Sequence, residues 1–275
     1  MDNLTTYLKK EIVTDKFCDV LGARDAALPF IQSVLLVVAG STDLQKCTHE
    51  SIISAALETA TLSLSVTPNR KQAYLVPYTH YKTHRLEAKL VVGYKGWYDM
   101  AWRTGWYRDI DAYPISQGFR VVEELAGEDG VIGRPVARLV KDTNSPGGYM
   151  ARYELTEAMG GKQKVVFMDH TQLKAHRDKY AKGLQREGSV WNSSYDVACM
   201  KTVVKRLLTW HGYFEDVNTE LISRLRFNDQ SVELEELPAQ VTEESEVLVG
   251  HILSADEHLP LNIQHETPLP VEWRK

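Results

Sequence analysis

Apolar residues recur every three or four positions through the first forty residues of the chain. Leu4, Leu8 and Ile12 show this spacing at the start, and a glycine stands at position 40. A period near 3.6 residues is typical of an amphipathic helix, and glycine commonly follows the last turn of one. The pattern therefore predicts helices over residues 4–40.

A second helical pattern follows, from residue 48 to residue 62. Thr48 is a candidate N-cap, because its hydroxyl can accept a hydrogen bond from a backbone N–H of the first turn. Ile52, Ala55, Ala56 and Thr59 fall on one side of this helix. Together with the preceding segment, it predicts a helical N-terminal layer.

From Ala73 onward the period changes to two, and β-branched and aromatic residues become frequent, which is typical of strands. The predicted strands are 73–79, 86–93, 107–115, 118–125, 131–140 and 148–156. A short helix is predicted at 95–103, and two longer ones at 169–182 and 191–210, the last capped by Asn192 or Ser193. This order predicts an α+β fold, in which antiparallel hairpins pack against long helices.

Charge is unevenly distributed along the chain. The net charge is −5, yet residues 231–275 carry ten acidic and two basic side chains, which leaves 30 basic and 27 acidic ones in residues 1–230. A slightly basic body with an acidic tail is compatible with a nucleic-acid partner. We expect a core over residues 1–228 and, over residues 229–275, an acidic linker with a small partner-interaction segment.

The sequence lacks the motifs of several classes of enzyme. Neither Lys82-Thr83 nor Lys201-Thr202 has the glycines of a phosphate-binding loop, and no GxSxG or HExxH is present. His80 with His84, and His170 with His176, are spaced too loosely for a convincing metal site. We expect no cofactor, although Mg²⁺ could still affect DNA binding. Three widely spaced cysteines, no signal peptide and no long apolar run predict an intracellular protein of a reducing cytoplasm, without a membrane partner.

One catalytic pattern stays open as an alternative. Glu87-Ala88-Lys89, on a predicted strand, matches half of the core of a metal-dependent nuclease, in which a carboxylate holds Mg²⁺ and a lysine stabilises charge. Such a core also needs an aspartate on an upstream strand, and residues 67–79 contain no acid. A solvent-facing charge pair is the simpler interpretation.

Basic and aromatic residues concentrate in two regions. Tyrosines, tryptophans, lysines and arginines crowd residues 70–108, where they favour either a single-strand binding surface or core packing. In the late helices, Lys174 and Arg177 lie three residues apart and Lys201 and Lys205 four apart, so each pair shares one side of its helix. No acid occurs between residues 200 and 211. This second region favours a track for phosphates.

Four blocks of sequence resemble the RecT family of phage and prophage recombinases, which is grouped with the Red beta proteins. They are SIISAALETATLSL at 51–64, AYLVPY at 73–78, VGYKGW at 92–97, and residues 191–208, which end in MKTVVKRLL. The blocks occur in the family's order, and the resemblance spans about residues 25–215. Four ordered blocks are more specific than any one of them.

The resemblance implies an ATP-independent protein that anneals complementary strands for phage homologous recombination. It would coat single-stranded DNA as an oligomeric ring or helical filament, hold the annealed duplex, and catalyse no covalent step. A protein that coats DNA without pairing it is the alternative. Through the C-terminal segment it would contact a companion phage exonuclease or the host single-strand binding protein. The implied DNA-binding residues are Tyr74, Tyr78, Lys95, Trp97, Arg103, Lys174, Arg177, Lys201, Lys205 and Arg206.

Overall fold

The computed structural model describes residues 2–8, 10–125, 135–181, 189–214 and 219–232. The chain forms two compact units. The first contains the chain up to Met100 and the segment that begins at Phe214, and the second contains Ala101–Tyr213. Each unit has its own helices and antiparallel strands, so the predicted α+β class is confirmed.

The first unit begins with the predicted helical layer. Its helices are α1 (Asp2–Leu8), α2 (Glu11–Leu21), α3 (Arg24–Ala39) and α4 (His49–Thr61). Gly22 ends α2 in the left-handed conformation, with φ 77°, which glycine adopts without steric cost. The backbone N–H of Gly40 caps α3, and the Thr48 hydroxyl accepts from the Ser51 N–H at the start of α4, as predicted.

A two-stranded hairpin follows in the first unit. Strands β1 (Ala73–Thr79) and β2 (Leu86–Val92) pair antiparallel, with Ala73 opposite Val92. One face of the hairpin is buried, and Tyr74, Tyr78 and Lys89 lie on the other face, which is partly open although Val76 on it is buried. Helix α5 (Tyr94–Arg103) begins directly after β2.

Two glycines allow α5 to start close to the chain that leads into β1. A Cβ on Gly96 would collide with the backbone oxygen of Gln72, and a Cβ on Gly93 would collide with that of Lys71. Backbone atoms cannot yield as the end of a flexible side chain can. Both glycines of the VGYKGW block therefore serve close packing.

Gly96→Ala is accordingly expected to lower the free energy of unfolding by about 1–3 kcal/mol, the usual cost of overpacking. Urea denaturation followed by circular dichroism measures it. Gly40→Ala is the matched control, because an added Cβ there would make only ordinary contacts at 3.6 Å or more. Equal stabilities of the two variants would contradict the proposed role of Gly96.

Five strands lie within the described residues of the second unit. They are β3 (Tyr107–Ile115), β4 (Phe119–Leu125), β5 (Pro135–Lys141), β6 (Gly148–Leu155) and β7 (Gln163–Asp169). Strands β3, β6 and β7 form an antiparallel sheet in that order, and β4 pairs with β5. The positions of β3, β4 and β6 agree with the prediction, whereas β7 was not predicted. Of predicted strand 131–140, residues 131–134 lie outside the described residues.

The helices described in the second unit after β7 are α6 (His170–Tyr180), α7 (Val190–Ser193) and α8 (Tyr195–His211). Asp169 and Gln172 form a capping box at the start of α6. Helix α8 buries Val203, Val204, Leu207 and Leu208 and packs on β6, β7 and β3. The predicted cap was wrong, because Asn192 and Ser193 lie within α7 and Ser194 precedes α8 without a side-chain cap.

The last described helix is α9 (Thr219–Val232), which belongs to the first unit. The Arg224 guanidinium pairs with the Glu58 carboxylate of α4 at 2.9 Å. Helix α9 runs across the predicted boundary at residue 228, and residues 233–275, which include most of the acidic segment, lie outside the described residues. Within the described ranges no single helix is long and apolar enough to cross a membrane, although α2 and α3, bent by 113°, pass that test as a pair.

Candidate nucleic-acid interface

Helix α8 is fixed to strand β6 near both of its ends. At its start the Tyr149 hydroxyl donates to the Asp196 carboxylate at 2.5 Å, and at its end the Tyr153 hydroxyl donates to the His211 carbonyl at 2.8 Å. Burial, followed by the hydrogen bond to Asp196, raises the pKa of Tyr149, so this phenol stays protonated as a donor. The exposed side of α8 is therefore held in a defined position on the sheet.

Three cations act electrostatically on His176 of α6. Burial is the main cause that lowers the pKa of His176, and the charges of Arg206, Lys205 and Lys179 add to it, which brings the pKa to about 4. Lys205 and Arg206 were predicted site residues, and Lys179 was not. The charges of cations on two helices, α6 and α8, thus act on the same side chain. We call Lys179, Lys205 and Arg206 the cation cluster.

An exposed aromatic ring adjoins the cation cluster. The Arg206 guanidinium lies 4.5 Å from the centroid of the Trp210 ring, one helical turn further along α8. Trp210 remains 44% exposed. A cation over an indole ring is a favourable pair that keeps the guanidinium oriented. Sequence reasoning missed Trp210, although its spacing of four residues from Arg206 was a usable signal.

Further rings connect α6, α7 and α8 to the sheet. Neighbouring centroids lie 4.7–6.5 Å apart in the series Tyr180, His176, Trp191, Tyr195, His170, Tyr149. Tyr149 is buried and the other rings are partly buried. This series packs the helices onto the sheet and thereby positions the cation cluster.

The other predicted cations of the second unit differ in their surroundings. Lys174 is exposed on α6. The Arg177 guanidinium pairs with the neighbouring Asp178 carboxylate at 2.6 Å, so part of its charge is already balanced. Lys201 is half-buried on α8, one turn before Lys205. Arg103 is exposed in the last turn of α5.

Three predicted residues of the first unit, Tyr74, Tyr78 and Lys95, lie on the hairpin or at the start of α5. Tyr74 and Tyr78 are half-buried on its open face, and the Lys89 ammonium lies 5.2 Å from the centroid of the Tyr78 ring. Lys95, at the start of α5, is half-buried, and its pKa is lowered first by burial and then by the charge of Lys71. A second group of basic and aromatic side chains therefore lies on this unit.

Trp97 belongs to the core of the first unit. Its side chain is 1% exposed, and its ring centroid lies 5.4 Å from that of Phe214. A ring buried in this way has no free face for a base, so of the two interpretations of this aromatic region, core packing applies to Trp97. Its place among the DNA-binding residues does not agree with this burial.

The nuclease pattern lies on strand β2. Glu87 and Lys89 lie on the open face of the hairpin, where Glu87 is opposite Tyr78. Across the residues that the structure describes, no three His, Cys, Asp or Glu side chains come together as a possible metal site.

Comparison with known proteins gives one family. Residues 29–246 match the RecT family. Uncharacterized protein YqaK of Bacillus subtilis (strain 168) is 31% identical over 206 residues, which cover 74% of this chain and 66% of YqaK. Protein RecT of Escherichia coli (strain K12) is 22% identical over 194 residues, which cover 67% of this chain and 69% of that protein. The chain thus spans just under two thirds of YqaK.

Proposed function

Since this chain belongs to the RecT family, we propose that it binds single-stranded DNA and anneals complementary strands in phage-type recombination, without nucleotide hydrolysis. The observation that carries this proposal is the pair formed by Arg206 and the exposed Trp210 ring on α8, 4.5 Å apart, together with the other members of the cation cluster. Cations that lie on neighbouring helices attract the phosphates of a polyanion.

The arrangement suits recognition of the phosphate backbone. Lysine and arginine side chains neutralise phosphates regardless of sequence, which leaves the base edges available to a second strand. Trp210 adds an exposed ring on which a base can stack. Annealing breaks no covalent bond, so the proposed activity requires positioned cations and rings instead of a catalytic acid or a nucleotide site.

A DNA-coating assembly requires several copies of the chain, and we propose a homo-oligomer that forms a ring or a helical filament.

Residues 229–275 are proposed to contact a companion exonuclease or the host single-strand binding protein in the bacterial cytoplasm. Their acidity, eight more acidic than basic side chains within residues 231–275, would keep them away from DNA. Deletion of residues 233–275, which leaves α9 intact, should abolish co-purification of either partner, and unchanged co-purification would refute this role.

Two assays on the full-length protein test the proposed function against its alternatives. Fluorescence anisotropy of a labelled 40-mer should show binding that weakens with salt. A denaturing gel of the same strand, after incubation in Mg²⁺ and in EDTA, should show intact DNA in both. Shortening in Mg²⁺ alone would indicate the nuclease built on Glu87 and Lys89, and the absence of binding would refute the proposal.

A further inference from the structure

Tyr81 lies at the tip of the β1–β2 hairpin. Among the large apolar side chains that the structure describes as exposed, that of Tyr81 has the highest exposed fraction. The Tyr81 side chain is 75% exposed. Residues 81–85 are all exposed, and they contain Lys82 and Arg85 but no acid. Folding alone does not require a large ring or a concentration of positive charge at such a position.

The Tyr81 ring is nevertheless ordered by its neighbours. The His80 imidazole stacks against it, with centroids 5.4 Å apart and planes within 17°. The Lys82 ammonium lies 5.3 Å from the same centroid. Since the side chain is still 75% exposed, a large part of the ring remains open to a flat partner.

The turn that holds this ring is built around His80. Its Nδ1 atom accepts from the backbone N–H groups of Lys82 at 3.3 Å and Thr83 at 3.2 Å. The backbone N–H of His80 donates to the Arg85 carbonyl, and the backbone carbonyl of His80 accepts from the His84 N–H, both at 2.8 Å. His84 closes the turn at φ 54°, a conformation that non-glycine residues rarely adopt. The tip is therefore a preformed structure.

We propose that the hairpin tip is a second DNA contact, at which the Tyr81 ring stacks on a nucleobase while Lys82 and Arg85 approach the adjoining phosphates. Stacking on an aromatic ring is tolerant of base identity, and the nearby cations supply the backbone contact that single-strand binding needs. This site lies on the first unit, and the cation cluster lies on the second. The inference rests on the proposed single-strand binding and extends it to the β1–β2 hairpin.

The chemistry of the tip favours a nucleobase over a simple anion. Lysine and arginine alone would bind phosphate, and neither needs a tyrosine ring beside an imidazole and an ammonium group. The expected consequence is that Tyr81 contributes only when the ligand carries bases. Lys82 should contribute whether or not bases are present.

The experiment compares two ligands of equal length, a labelled single-stranded oligonucleotide and its abasic deoxyribose-phosphate analogue, by fluorescence anisotropy with the full-length protein. Tyr81→Ala should weaken binding of the oligonucleotide by about five- to thirtyfold and leave the abasic chain within about twofold. Tyr81→Phe is the matched control that keeps the ring, and it should bind both ligands as the wild type does. Lys82→Gln should weaken both.

Three outcomes overturn the inference: oligonucleotide binding unchanged in Tyr81→Ala, both ligands weakened equally by Tyr81→Ala, or Tyr81→Phe as defective as Tyr81→Ala. In each of these the wild type still binds, so the proposed function survives. Failure of the wild type to bind the oligonucleotide would refute both the proposed function and this inference.

Because a variant can fold poorly, photocrosslinking of the wild type to 5-iododeoxyuridine DNA provides a second measurement. A crosslink at Tyr81 is expected. Crosslinks confined to other peptides would contradict the proposal.

Discussion

Replacing Lys205 and Arg206 with glutamine is expected to weaken binding of single-stranded DNA by about 100-fold. Two contacts from charged donors are removed, each worth about 1.5 kcal/mol or more, and every 1.4 kcal/mol is tenfold in affinity. The salt dependence should change as well. Two fewer neutralised phosphates reduce the slope of log affinity against log salt by about 1.4.

The side chains of Lys205 and Arg206 are half-buried beside the apolar side of α8. Glutamine is chosen because it keeps part of the aliphatic stem of each side chain. The matched control is Arg138→Gln with Lys162→Gln. It removes the same charge from the second unit at two exposed positions outside the cation cluster. Anisotropy titrations at several salt concentrations provide both the affinity and its dependence on salt. If the two double variants lost affinity equally, general charge and not the cluster would be responsible.

Acidification is expected to destabilise the protein partly through His176. The folded-state pKa is about 4, below the ordinary value of 6.5. The unfolded chain therefore binds a proton more readily between these two values, and stability falls as the pH is lowered through that window. The contribution is fully present above pH 6.5, and about 3 kcal/mol of it is lost by pH 4.

Urea unfolding between pH 7 and pH 4 measures this effect, with His176→Gln as the reference that cannot titrate. The difference in unfolding free energy between wild type and His176→Gln should shift by about 3 kcal/mol across the window. Lys179→Gln should reduce the shift, because the Lys179 charge helps to lower the pKa of His176. A constant difference between wild type and His176→Gln would contradict the burial of this histidine among cations.

Local patterns in the sequence identified most of the elements. The hairpin β1–β2 was predictable because its alternation reflects one buried face, and α4 because Thr48 caps it. Strand β7 was missed, because Val165, Val166, Phe167 and Met168 form a continuous apolar run that shows no alternation before α6 begins. The start of α8 was misplaced because the helical pattern runs through the break at Ser194.

The candidate site was predictable only where its residues share one helix. Lys205 and Arg206 were identified from a stretch of α8 without acids. Lys179 was not, because its connection to them, a shared electrostatic effect on His176, depends on the tertiary structure. Trp97 and Trp210 show the limit of composition, since both are tryptophans in basic surroundings and only burial separates a core ring from an exposed one.

The central claim is annealing, and the most direct measurement is the pairing rate of two complementary oligonucleotides that carry a fluorophore and a quencher. It is made without ATP, in EDTA and then in Mg²⁺, with the wild type and with Lys201→Ala/Lys205→Ala. We predict that the wild type accelerates pairing, that salt weakens the acceleration, and that the variant loses it. A folded wild type that binds single-stranded DNA but leaves the pairing rate unchanged in both buffers would contradict the claim and indicate a protein that only coats DNA.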